Sequence, residues 1–212
     1  MESVILKEMI SIIRAEEQRR AALLSGEDPE AAYDQWLFRD APFVNELCII
    51  LLVALRHRVE RVLVSLAALS ADGGREIEGE QYGYNVEQLR KGRGWKWKEI
   101  DARLKPELSE FYRSMEALRL LANSYKHEHS ERPAEDLKDF LGLPRVDYDV
   151  LPASDLFRQK LAVFIGLGED ATYCDIADRF VDVAESFLKD VKSRATLSKI
   201  KRHFIPLGRF AH

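Results

Sequence analysis

Cysteine, glycine and proline are scarce in this chain: two, eleven and seven among 212 residues. Two cysteines exclude a disulfide framework and a thiolate zinc cluster. Cys48 lies inside an apolar run and Cys174 opens another, which leaves two buried thiols in a reducing compartment or one disulfide. So few glycines and prolines argue against an architecture of many strands and tight turns. A membrane-length apolar run is also lacking. The most hydrophobic stretch, Leu47 to Leu55, is nine residues long and ends at Arg56-His57-Arg58, whereas a span needs ~20 apolar residues. The N-terminus lacks the charge, apolar core and small-residue order of a secretory signal, and the expected location is cytoplasmic. Finally, there is no excess of positive charge. Thirty-two Lys and Arg stand against 36 Asp and Glu, a net charge of −4, which excludes a protein that coats nucleic acid with its whole surface.

What is present is helical. The apolar fraction of 46 % is enough to bury a core, and the charged fraction of 32 % suits long helices with solvated faces. The expected fold class is all-α, a single-domain helical bundle over residues 1–212. Apolar residues recur at helical spacing over about 1–22, where Val4, Ile5, Met9, Ile12 and Ile13 share a face, and over about 29–38, which opens on Asp28-Pro29-Glu30. A long helix follows over about 42–70, carrying Leu47, Ile50, Leu51, Ala54, Leu55, Val62 and Leu66. Further helices cover about 106–129 and, within 154–194, about 171–194. Pro42, Pro106 and Pro133 fit first-turn positions. Six of the eleven glycines fall between Gly73 and Gly94, so the two central helices are joined by a long Gly-rich connection, a length of loop often tied to function. Val146 to Val150 alternates and reads as extended.

The helix after that connection carries the most chemistry. Its core stripe is Leu108, Phe111, Met115, Leu118, Ala122 and Tyr125. With Ala122 at zero, Arg119, Asn123 and His127 fall at ~60°, ~100° and ~140°, a polar row along one flank, with Lys126 at its edge. Such a row suits phosphodiester chemistry without a metal. His127 can exchange a proton near neutral pH, Arg119 can hold a phosphate and stabilise a pentavalent transition state, and Asn123 can orient either. Attack by a ribose 2′-hydroxyl makes RNA the substrate. On the same residues, Asn123 and His127 can instead cap the helix end.

Leu118-Arg119-Leu120-Leu121-Ala122-Asn123-Ser124-Tyr125-Lys126-His127 resembles the signature helix of the HEPN superfamily, the nucleotide-binding domains of higher eukaryotes and prokaryotes. The resemblance covers about 42–130 and implies a helical bundle. Many members are toxins or defence ribonucleases in which an Arg and a following His cleave RNA across a dimer interface. It therefore implies a metal-independent endoribonuclease with catalytic Arg119, Asn123 and His127, no cofactor, a homodimer, RNA as ligand and an antitoxin or other protein partner. Asn123, Lys126 and His127 match the family pattern. The family's Arg directly before the Asn is replaced by Ala122, and Arg119 lies one turn upstream. The same resemblance accommodates a non-catalytic relative.

Two segments are wholly basic. Residues 88–98 hold Arg90, Lys91, Arg93, Lys96 and Lys98 with Trp95 and Trp97 interleaved and no acid. Cations that track phosphates beside indoles that stack on bases describe a single-strand binder; an amphipathic helix anchored by Trp95 is the alternative. The tail from 195 to 212, with Lys192 and Arg194 before it, also lacks acids and either binds a partner or docks through Phe204 and Ile205. His127-Glu128-His129 with Glu131 has no second ligand cluster, so no metal is expected. Arg56, His57, Arg58, Glu60 and Arg61 form a polar belt, read as solvated or subunit-facing. Glu46 is placed to pair with Arg119. Three functional classes follow: a HEPN-like RNA-directed protein, a non-catalytic interaction module, and a single-strand nucleic-acid binder.

Overall fold

A computed structural model defines the fold, described for residues 2–24, 41–71, 104–126, 131–143 and 155–194. Among the described residues there are six α-helices, one 3-10 turn and no strand, as the composition requires. The helices are α1 (Glu2–Leu24), α2 (Ala41–Ala71), α3 (Tyr112–Lys126), α4 (Glu131–Leu141), α5 (Asp155–Phe164) and α6 (Tyr173–Arg194). The expected helix at 29–38, the Gly-rich connection, the 146–150 run and the basic tail lie outside the described residues.

Helices α2 and α6 form the central pair, flanked by α1 on one side and α3 on the other, while α4 packs on α3 and α5 bridges α4 and α6. Their directions follow from individual contacts. Lys7 meets Asp182 at 2.6 Å and Arg14 meets Asp175 at 2.9 Å, so α1 is antiparallel to α6. Tyr125, at the end of α3, donates to Glu46, near the start of α2, at 3.1 Å. The Lys105 carbonyl, just before α3, accepts from Arg194 at the end of α6 at 3.0 Å. Hence α3 is antiparallel to both central helices, which run the same way.

Local chemistry accounts for the helix ends. Thr172 and Asp175 make a reciprocal capping box at the start of α6: the Thr172 amide donates to the Asp175 carboxylate at 2.9 Å and the Asp175 amide to Thr172 Oγ1 at 3.2 Å. Gly142 and Gly166, at φ +67° and +82°, terminate α4 and α5. In each case the amide one residue beyond the glycine returns to a carbonyl in the last turn, Leu143 to Lys138 at 2.8 Å and Leu167 to Ala162 at 2.9 Å. Arg158 then ties the 165–172 loop down by donating to the carbonyls of Glu169 and Ala171.

The core is aliphatic and aromatic, built on Ile10, Ile49, Leu52, Leu63, Leu118, Leu121, Leu137, Phe157, Leu161, Phe180 and Phe187. Three details depart from the sequence expectation. In α1, Ile10 is the residue that enters the core, with Leu6 and Ile13 beside it, while Val4, Ile5, Met9 and Ile12 stay in solvent, Ile12 being 69 % exposed. In α2, Ile50 and Ala54 point outward. Pro106 opens a 3-10 turn over Pro106–Leu108 instead of the long helix itself, and this leaves Leu108 exposed outside the core stripe. Met115, Leu118 and Ala122 are buried as expected.

Candidate functional site

Helix α3 is covered by α2, α4 and α6, which is why Ala117, Leu120, Leu121 and Ser124 are buried as well as its apolar stripe. The buried Ser124 hydroxyl is satisfied by the Leu121 carbonyl at 2.8 Å. The flank carrying Arg119, Asn123 and Lys126 retains access to water, and it lies towards the middle of α2. Arg119 and Asn123 are half-buried and Lys126 is exposed. His127, the fourth residue of the expected row, lies outside the described residues, as do Arg90, Lys91, Arg93, Trp95, Lys96, Trp97 and Lys98.

Arg119 does not pair with Glu46. Its guanidinium grips Glu116, one turn earlier on the same helix, through Nε to Oε2 at 2.8 Å and Nη2 to Oε1 at 2.5 Å. This bidentate bond is the main reason its pKa is raised, against a smaller opposing effect of burial. Glu46 is instead exposed and held by Tyr125. The antiparallel packing of α2 and α3 explains the exchange: Glu46 lies level with the C-terminal end of α3, whereas Arg119 lies near its middle, closer to Arg56.

Helix α2 supplies the opposite wall. Arg56 is only 7 % exposed, so this part of the polar belt is buried, not solvated. Burial pushes its pKa down, Arg119 adds to that, and Glu60 and Glu116 oppose it. Its Nη1 lies 3.8 Å from Glu60 Oε2. His57 is half-exposed on the same turn, its Nδ1 3.9 Å from Glu60 Oε2. Its pKa is lowered, first by burial and then by the ammonium of Lys126 across the seam, with Glu60 acting the other way. The imidazole is therefore neutral at pH 7 and able to accept a proton.

The α2–α3 seam thus gathers Arg56, His57 and Glu60 from one helix and Glu116, Arg119, Asn123 and Lys126 from the other. Asp136 of α4 also acts on Arg119. Carboxylates accompany the cations, so the seam is a compensated network, and Arg119 can hold an external anion only in competition with Glu116. Sequence reasoning placed Arg56 and His57 on α2 but did not join them to the α3 row. The signal available was local: Arg56-x-x-x-Glu60 and Glu116-x-x-Arg119 are both helical ion-pair spacings. Among the described residues no group of three or more His, Cys, Asp and Glu side chains is placed to hold a metal ion, and no helix is long and apolar enough to cross a membrane.

Fold and seam together define an all-α bundle with a charged contact between two of its helices. Comparison with protein-family models, with curated proteins and with solved structures finds no match to this chain.

Proposed function

We propose that this chain is a HEPN-like, RNA-associated helical protein whose working surface is the α2–α3 seam. The observation that supports this reading most is the convergence of His57, Arg56, Lys126 and Arg119 at one seam from two helices. In the proposed reaction the His127 imidazole takes the proton of a ribose 2′-hydroxyl. The freed oxygen attacks the adjacent phosphorus, and the 5′-oxygen leaves with a proton returned from an imidazolium. Lys126 and Arg119 stabilise the charge on the phosphorane oxygens, Arg119 having exchanged Glu116 for phosphate. Asn123 orients the phosphate or the histidine. The 88–98 segment and the basic tail supply further contacts to the strand, and the protein acts as a homodimer.

The test is incubation of purified protein with single-stranded RNA in excess EDTA. Products ending in 2′,3′-cyclic phosphate, lost in His127→Ala and reduced at least tenfold in Lys126→Ala, are expected. Absence of cleavage, or cleavage indifferent to His127, removes the catalytic reading.

A second reading, a non-catalytic interaction module, is favoured by a different observation: Ile5, Met9 and Ile12 are exposed along one side of α1, an apolar row of the kind that marks protein contacts. Light scattering of the wild type and of Ile12→Asp distinguishes it. Loss of an assembly on substitution, with RNA left intact by the wild type, supports this second reading over the first.

A further inference from the structure

Cys48 and Cys174 are 126 residues apart in sequence, yet the fold brings their sulfurs to 3.5 Å across the α2–α6 contact. Both are buried, at 0 % and 1 % exposure. They are the only two cysteines in the chain. A disulfide requires ~2.05 Å between sulfurs, so the pair must close by about 1.5 Å, within reach of side-chain rotation on two neighbouring helices. We propose that Cys48 and Cys174 form an oxidation site, at which hydrogen peroxide converts the dithiol to a disulfide that ties α2 to α6.

The surroundings give the two sulfurs different roles. Cys174 is the second residue of α6, where the helix N-terminus favours a thiolate. The two sulfurs are within hydrogen-bonding distance, and a proton shared from Cys48 lowers the Cys174 pKa, against burial and the Glu17 carboxylate, while raising that of Cys48. Glu17 of α1 bonds to Cys174 and is itself half-buried, so it is a proton acceptor at the site; the Arg14–Asp175 ion pair closes the same corner at 2.9 Å. Cys174 is therefore the attacking sulfur. Its thiolate takes the distal oxygen of peroxide as the O–O bond breaks, giving a sulfenic acid and, with one proton, water. The Cys48 sulfur then attacks that sulfenic sulfur. The S–S bond forms, the S–O bond breaks, and hydroxide leaves with a proton as a second water. Two thiols and one peroxide give one disulfide and two waters, sulfur losing the two electrons that peroxide gains. A small, neutral oxidant suits a buried pair, because it enters through local opening that a glutathione-sized disulfide cannot use.

The experiment treats the full chain with hydrogen peroxide, quenches it, blocks residual thiols with an alkylating agent and measures intact mass and melting temperature. The expected product is a monomer lighter by two hydrogen atoms, closed to alkylation. Its map should contain a Cys48–Cys174 linked peptide, and dithiothreitol should restore both thiols. Because the link closes a loop of more than a hundred residues, the melting temperature of the oxidised form should rise on the order of 10 °C. Two alkylatable thiols after treatment, separate sulfinic acids, an interchain disulfide, or an internal link that lowers the melting temperature would each overturn the proposal. These readouts need only the wild-type chain; Cys48→Ala and Cys174→Ala, each expected to abolish the link and the temperature shift, serve as controls.

Discussion

Helix α2 lies against two different neighbours within about 80° of its circumference, the angle separating Cys48 from Arg56 at eight residues along the helix. Towards α6 it is dry. Cys48 and Cys174 meet there within the one hydrophobic core that also holds Leu52, Phe180 and Val181, and burial raises the pKa of the adjacent Tyr173 hydroxyl well above its ordinary value. Towards α3 it is polar, and Arg56, Glu60, Glu116 and Arg119 share the space. The difference lies in how desolvation is met. On the α6 side the enclosed polar groups are the two sulfurs, within hydrogen-bonding distance of each other, and the Tyr173 hydroxyl, with Glu17 at the edge. On the α3 side charges are enclosed, and each needs an opposite partner at the edge of water. The first seam excludes water from apolar groups, and the second keeps charges in reach of it.

Truncation in the dry core that α6 contributes should have the largest effect. Phe180 is wholly buried in α6, so Phe180→Ala should cost about 4 kcal/mol and lower the melting temperature on the order of 10 °C. Ile50→Ala, on the exposed side of α2, should cost under ~1 kcal/mol. Equal losses in thermal melts of the two variants would mean that burial in the dry core does not set stability.

The polar seam should respond to the shape of a residue as well as to its charge. Arg56→Ala removes a buried aliphatic stem and the cation beside Glu60, a loss of about 2 kcal/mol. Arg56→Met keeps the stem and should cost under ~1 kcal/mol. Chemical denaturation of both variants measures the gap; if Met is as damaging as Ala, the charge of Arg56, not its packing, holds the seam.

Much of this fold was legible in the chain. The long helix expected at 42–70 is Ala41–Ala71, and the last at 171–194 is Tyr173–Arg194, because uninterrupted apolar periodicity has one solution over that length. The face of α1 was not legible. Apolar residues at 4, 5, 6, 9, 10, 12 and 13 satisfy two faces equally, and the choice of Ile10 is made by Lys7 and Arg14 reaching Asp182 and Asp175 of a helix more than 160 residues away. The Glu46–Arg119 pair failed for a related reason. A local carboxylate, Glu116, three residues before Arg119, outcompetes a distant one, since the helix fixes its position without further loss of chain entropy. The polar row of α3 could be drawn from spacing alone, but its opposite wall depends on the register of α2 against α3, which no local pattern encodes. The approach of Cys48 to Cys174 is likewise purely tertiary.

A smaller effect concerns Glu17 at the rim of the dry seam. Burial raises its pKa above 4.5, with Asp175 adding to this and Arg14 opposing it. The unfolded chain then gives up this proton at a lower pH than the native one does, so stability falls as pH rises through the interval between the two values. Glu17→Gln removes the penalty. The variant should melt a few degrees above the wild type at neutral pH, and the difference should vanish below pH 4.5. A constant difference across that range would show that Glu17 keeps its ordinary pKa.

The smallest effect reads the polar seam itself. His57 is pushed below 6.5 by burial first, then by Lys126, while Glu60 pulls it upward. Lys126 belongs to α3 and Glu60 to α2, so the two influences separate the contact between helices from that within one. In histidine-resolved NMR titrations, Lys126→Gln should raise the His57 pKa and Glu60→Gln should lower it, both leaving the fold intact because the substituted side chains are largely in solvent. Added salt should weaken both shifts and spare the larger part due to burial. If Lys126→Gln leaves His57 unmoved, the α3 row does not reach α2, and the two walls of the proposed site are independent surfaces.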